Sequence, residues 1–271
     1  MFKTDCHLHT TFSPDGRQKP EELLKAAVRA GLSEITVTDH CECNNGGAVP
    51  PNEPQWPDLD IPAYTKTFLR LRERSPIPIR IGVEMGQMTQ AKEFAKKSLE
   101  AFDWDFVLCS LHNIRNEFDF YYIDYKNRDL KKLFTDYFEQ LYEAAVYGGF
   151  SVMSHLYYPI KYIYRDGFSF DISTFDADIG DIFRVLIQNG QGIEINTGSV
   201  EREFGDFVPQ FKYAKMFRDL GGEIVTVGSD SHYASRVGGH ITDAYEMLRE
   251  AGFKATETFV KKQPVFHDIE I

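Results

Sequence analysis

Apolar and β-branched residues fall in short runs along this chain, and between the runs they recur at helical spacing. The runs Phe2–His9, Glu34–Asp39, Ile77–Glu84, Phe106–Leu111, Phe150–His155, Gly192–Asn196 and Glu223–Gly228 predict strands. Pro20–Val28, opening on proline and two glutamates and ended by Gly31, predicts a helix. So do Tyr64–Arg74, Thr89–Phe102, Leu130–Tyr147, Asp178–Asn189, Pro209–Leu220 and Thr242–Ala251. Glycine follows several of these at Gly148, Gly190, Gly221 and Gly252, as expected just past a helix C-terminus. Strand and helix in strict alternation predict a parallel sheet, and seven units in a row predict a closed or nearly closed barrel. An open doubly wound sheet is the alternative. Residues 44–62, with Gly46-Gly47 and several prolines, predict a long loop rather than a boundary. No internal repeat or linker is visible, so one domain over residues 1–271 is expected, a length that an α/β barrel of roughly 250 residues fills.

Composition narrows the partners. With 30 basic and 41 acidic residues, the net charge is −11, which disfavours a protein that coats nucleic acid. A small anionic substrate stays compatible, because bound metal ions supply local positive charge. No apolar stretch reads as a secretory signal or a membrane span, so a cytoplasmic setting is expected. The four cysteines, Cys6, Cys41, Cys43 and Cys109, then read as reduced thiols, and Cys41-Glu42-Cys43 alone lacks the second pair of a structural zinc site.

The chemistry lies in where histidines and carboxylates fall. The first predicted strand ends in His7-Leu8-His9, the second in Asp39-His40 and the third in Glu84. The fourth runs into His112, the fifth into His155 and the last into Asp230-Ser231-His232, with Asp15 in the loop after the first. In a parallel barrel all strand C-termini meet at one face, so these residues converge. Alternation points His7 and His9 to the same side. Six of the eight histidines sit at strand ends; His240, before a helix, and His267, in the tail, read as structural or solvent-facing. Mixed imidazole and carboxylate donors favour zinc, iron or manganese. Nine such residues exceed what one ion takes, so two or three divalent ions are expected. A site of that kind suits hydrolysis, because the ions make hydroxide available near neutral pH and neutralise substrate charge.

The motifs His7-Leu8-His9-Thr10, Thr38-Asp39-His40, Gly82-Val83-Glu84, Ser110-Leu111-His112, Ser154-His155 and Gly228-Ser229-Asp230-Ser231-His232 resemble those of the polymerase-and-histidinol-phosphatase (PHP) family. The similarity runs from Phe2 to about Gly252. Within the family the chain looks most like the stand-alone phosphatases that act on histidinol phosphate in bacterial histidine biosynthesis. Its length, its early first motif and the arginines and aromatics of its middle loops carry that likeness. The resemblance implies a distorted (βα)7 barrel with three divalent metal ions. It implies a first ion held by His7, His9, Glu84 and Asp230, a second by the bridging Glu84 with His112 and His155, and a third by Asp15, His40 and His232. The family often has histidine where this chain has Asp15.

The implied reaction is hydrolysis of L-histidinol phosphate to L-histidinol and phosphate. General acid catalysis alone contributes only about 10²–10⁴ in rate, so metal charge and positioning must carry most of the acceleration. Glu84, Asp15 and His232 are the expected catalytic residues, the last two as candidate acids for the leaving alkoxide. Arg165 and Arg202, in the loops after the fifth and sixth strands, are expected to fork onto phosphate. The ammonium and imidazole of the substrate call for a carboxylate and an apolar wall. Glu117 is the expected ammonium partner, and Phe118, Met85 and Tyr164 the wall. Three rivals remain at this point. A phosphoesterase of the same family acting on a nucleotide would use the same metals. An amidohydrolase wants a metal-bridging lysine where this chain has Glu84. A non-enzymatic binding domain would lack ligands, and none is lacking.

Overall fold

The computed structural model describes residues 2–44 and 49–269. Gly46-Gly47 of the predicted loop lie outside the described residues. Strands β1 (Thr4–Asp5), β2 (Glu34–Val37), β3 (His40–Glu42), β4 (Ile79–Gly86), β5 (Phe106–Ser110), β6 (Val152–Met153), β7 (Gly192–Asn196) and β8 (Val225–Gly228) form one parallel sheet. Seven strands run in the order β1-β2-β4-β5-β6-β7-β8, and the short β3 pairs with the upper half of β4. The backbone closes the ring: Cys6 N donates to Val227 O at 2.9 Å, His9 N donates to Ser231 O at 3.0 Å, and Leu8 bridges Ser231 in parallel. This is the closed barrel that the alternation predicts, in the distorted seven-stranded form that the resemblance implies.

Helices α1 (Pro20–Arg29), α2 (Ile61–Arg72), α3 (Lys92–Glu100), α4 (Leu130–Tyr147), α5 (Ile160–Arg165), α6 (Asp176–Gln188), α7 (Phe211–Asp219) and α8 (Ile241–Glu250) surround it. Local chemistry sets their ends. Pro20 opens α1, Asp60 and Asp129 cap α2 and α4 through Ala63 N and Lys132 N, and Gly148 ends α4 at φ +68°. The helix α5, in a stretch that reads as loop, was not anticipated. Neither was the antiparallel hairpin of β9 (Ala255–Val260) and β10 (Gln263–Asp268).

The barrel interior has two layers. Cys6, Phe106, Leu108 and Val152 make an apolar floor, closed from below by Phe259 of the hairpin. Burying these groups removes apolar surface from water at about 25 cal/mol per Å². Above the floor the inward positions turn polar, with Glu84, Ser110, Ser154, Glu194, His7 and His9 all buried. Side chains alternate across a strand, so Met85 faces the opposite way from Glu84. It is fully buried in the layer between barrel and helices, in register with Cys41 and Cys109. Met85 is therefore not part of a substrate wall, which corrects that expectation. All four cysteines are free and buried. No described helix is long and apolar enough to cross a membrane.

Candidate metal centre

Glu84, at the upper end of β4, has no exposed surface, and five imidazoles reach it. His7 Nε2, His9 Nε2 and His40 Nδ1 lie 3.4, 3.5 and 2.7 Å from Oε2. His112 Nε2 and His155 Nε2 lie 3.1 and 3.2 Å from Oε1, which also accepts from Ser110 Oγ at 2.6 Å. One carboxylate thus offers each oxygen to a different group of histidines. Asp230 Oδ1 stands 3.7 Å from His7 Nε2 and 3.4 Å from His9 Nε2. Its backbone, at φ +52°, occupies a region that non-glycine residues rarely adopt. Such strain persists where the surroundings fix it, and here it turns the carboxylate toward the two histidines. Toward solvent, Asp15 lies 3.0 Å from His232 Nε2 and 3.6 Å from His40 Nε2.

These charges tune one another. Burial works against a charged His7 ring, but Glu194, Glu84 and Asp230 outweigh it and hold its pKa well above 6.5. The same balance, with Glu42 and Glu84 as the anions, raises His112 to about 10. Burial and then the neighbouring His232 and His40 push His9 well below its ordinary value. Burial disfavours ionised Glu84, yet His7, His40 and His112 draw its pKa far below the usual carboxylate range.

The donors fit divalent ions. The Nε2 atoms of His7, His9 and His232, His40 Nδ1, Asp15 Oδ1 and Glu84 Oε2 are buried without a hydrogen-bond partner. A polar group left so costs about 1–3 kcal/mol, which a coordinated cation removes. Three overlapping sets, His7/His9/Asp230, His9/His40/His232 and His40/Glu84/His112, each bring their ligand atoms within 4.8 Å of one another. His155 and Asp15 fall outside these tight sets but keep the Glu84, His40 and His232 contacts given above.

The remaining predicted residues divide. Glu117 is taken up by a two-bond ion pair with Arg128, at 2.9 and 2.6 Å, so its carboxylate is already neutralised by the chain itself. In this arrangement Arg128 competes with a substrate ammonium for Glu117. Arg165 bonds the Asp166 carboxylate at 2.7 Å and the Tyr121 carbonyl at 3.1 Å. Tyr164 packs edge-on against Phe204, and Phe118 is exposed. Arg202 is exposed and close enough to Lys161 for its charge to help burial depress the pKa of that lysine. His240 binds Asp243 and Glu201, and His267 bonds Thr258 and stacks on Phe2.

Several groups at the mouth escaped the sequence reading. Lys161, on α5, places Nζ 3.8 Å from Asp230 Oδ2 and 3.9 Å from the Tyr158 ring centre. Tyr158 in turn packs on His155 and His112, at 4.5 and 4.9 Å. Trp56 stands 5.2 Å from the His40 ring. Asp119 is a buried carboxylate with Oδ1 accepting from Tyr121 N, and burial raises its pKa to about 6. Glu194 accepts from His7 Nδ1 at 2.6 Å and from the His155 backbone N–H at 3.0 Å. Gly228 is what lets these two meet, because a Cβ there would lie 2.3 Å from His7 Cβ and 2.4 Å from Glu194 Oε1. A glutamate in the middle of the apolar strand Gly192–Asn196 was a legible signal. Asp39 also acts at one remove: it accepts from Thr10 and Ser13, at 2.6 to 2.9 Å, and so pins the loop after the first histidines.

A parallel barrel whose strand ends gather histidines and carboxylates around one buried glutamate defines a class of metal-centre barrels. Within that class, the chain belongs to the PHP domain family, whose profile matches residues 5–198. It is 28% identical over 255 residues to the "Probable histidinol-phosphatase" of Clostridium acetobutylicum, covering 92% of this chain and 94% of that one. It is 28% identical over 269 residues to the histidinol-phosphatase of Lactococcus lactis, covering 96% and 95%. The crystal structure of the Lactococcus lactis histidinol phosphate phosphatase, complexed with zinc, L-histidinol and phosphate, shares the fold with a TM-score of 0.81 at 24% identity, covering 97% of this chain and 98% of that one.

Proposed function

We propose that this chain is a metal-dependent phosphoric monoester hydrolase that converts L-histidinol phosphate to L-histidinol and phosphate, as a single phosphatase domain working in the cytoplasm. The observation that carries the reading is Glu84, whose two carboxylate oxygens are divided between two groups of buried histidines. The relatives named histidinol-phosphatase, with matched lengths, support the substrate. His7, His9, Glu84 and Asp230 would hold one ion, Glu84, His112 and His155 a second, and Asp15, His40 and His232 a third. Divalent zinc, iron or manganese in these places supplies charge to neutralise the phosphate dianion and lowers the pKa of water to about 7.

The chain's own residues do the rest. Lys161 is held over Tyr158 beside Asp230, so its ammonium faces the phosphate end of the cleft, and Arg202 adds a second cation at the rim. His232 and Asp15, 3.0 Å apart, stand on the solvent side of the centre, where the leaving alkoxide emerges. Asp119 is the carboxylate that meets the substrate ammonium, because Glu117 is neutralised by Arg128. Trp56 and Tyr158 supply aromatic surface around the rest of the substrate. Metal-loaded protein should be assayed on L-histidinol phosphate, simple alkyl phosphates, a nucleotide phosphodiester and a lactone. L-histidinol phosphate should be preferred by at least tenfold in kcat/KM; equal rates on alkyl phosphates would overturn the substrate, and preference for the diester or lactone would overturn the reaction.

A further inference from the structure

Glu42 belongs to none of the ligand sets, yet it is built into the centre. It stands on β3, and alternation puts His40 and Glu42 on the same side of that strand, in register with Glu84 and Gly86 of β4. Its carboxylate is 12% exposed and reaches two rings at once: Oε1 is 2.9 Å from His112 Nδ1 and 3.3 Å from His40 Nδ1. The opposite nitrogens of those rings face different groups. His112 Nε2 looks at Glu84 Oε1, and His40 Nε2 looks at Asp15. Gly86 makes the room, since a Cβ at that position would lie 2.2 Å from Glu42 Oε2 and 2.8 Å from Oε1.

An imidazole that donates from Nδ1 to a carboxylate has its proton fixed there, which leaves Nε2 unprotonated for a cation and aims it. Glu194 stands in that relation to His7, at 2.6 Å. We infer that Glu42 is a positioning residue: its carboxylate fixes the Nδ1 side of His112 and packs beside the His40 ring, whose Nδ1 turns to Glu84, so one carboxylate orients a histidine from each of two metal sets and ties their occupancy together. This rests on the metal reading above. It also explains why a glutamate flanked by two cysteines lies in a buried strand, with a glycine opposite it.

The test uses chelator-stripped full-length protein and zinc, with a chromophoric chelator in competition. Wild type should take up more than one ion. Glu42→Gln keeps the shape and removes the charge; Gly86→Ala keeps the charge and displaces it. Both should weaken zinc binding about 10–100-fold, the range for losing an outer partner of a metal-bound histidine. The weakening should extend to at least two of the ions, while the circular dichroism of the zinc-free protein stays that of wild type. In the zinc-loaded wild type, nitrogen NMR should show His112 protonated at Nδ1, with that N–H signal shifted or lost in Glu42→Gln. Wild-type zinc affinity in Glu42→Gln would overturn the inference, as would zinc on His112 Nδ1 or an unfolded zinc-free variant, which would make Glu42 merely structural. If Gly86→Ala does not fold, Glu42→Gln decides alone. Uptake of at most one ion by wild type would sink the metal reading itself, a different failure from an unaffected Glu42 variant.

Discussion

Glu84 is the residue on which the centre turns, and its loss should be more damaging than that of any other carboxylate. It touches five histidines, so Glu84→Gln halves no single contact but disturbs both groups at once. Metal analysis should show more than one ion lost per chain, with kcat/KM down by at least ~100-fold, beyond the effect of losing an outer partner. Wild-type metal content in that variant would remove Glu84 from the bridge. Lys161 offers a second test at this scale. Its ammonium lies between Asp230 and two tyrosine rings, whereas Arg165 is held by Asp166 and a carbonyl. Lys161→Ala should cost about 2–4 kcal/mol in kcat/KM, the range for truncating a desolvated charge partner, with metal content unchanged. Arg165→Ala should cost less than about threefold; the reverse order would return the phosphate contact to Arg165.

Elements explain which side chains were legible. A strand tells its two faces apart by alternation, so Glu84 inward entails Met85 outward, and that residue was misjudged by nearness in sequence. The helix α5 is only Ile160–Arg165, too short for a repeating apolar stripe, and nothing in the sequence pattern singles out Lys161. The hairpin β9–β10 was missed because it is exposed on one strand, with Val265 and Phe266 facing solvent. It nevertheless carries a measurable charge effect. Glu257 of β9 is buried with Oε2 accepting from Val225 N, and burial lifts its pKa to about 9 against that hydrogen bond. The folded chain therefore keeps a proton there that the unfolded chain loses above about pH 4.5. This group's contribution is full below that pH and is lost as pH rises toward about 9, with a slope of about 1.4 kcal/mol per pH unit. Denaturant titrations from pH 5 to 9 should show wild type losing stability relative to Glu257→Gln. Parallel profiles would mean that Glu257 is ionised in the fold.

At the scale of the whole molecule, the ions and the fold should stabilise each other. The donors come from β3, β4 and the segments after β1, β5, β6 and β8, so an unfolded chain cannot assemble them. A ligand that binds only the folded state adds about 2.7 kcal/mol at a hundred times its Kd. For a chain of this size that is roughly 5–10 °C in Tm. Calorimetry with zinc and then with excess chelator should show that span, and an unchanged Tm would argue against a site built across the barrel.

The parallel barrel and the gathering of nine histidines and carboxylates at its strand ends were readable from the sequence, because each depends on local pattern. Alternation of strand and helix dictates a parallel sheet, and a parallel sheet gathers its strand ends on one face whatever the loops do. What surrounds those residues was not readable. Glu42 beneath His40 and His112, Glu194 behind His7, Lys161 over Tyr158 and the Glu117–Arg128 pair all join residues distant in sequence or set in irregular segments. Which carboxylate is left open for a ligand, and which is neutralised by a neighbouring arginine, depends on distances of a few ångströms between segments. Periodicity carries no information about such distances, and only the packed tertiary structure fixes them.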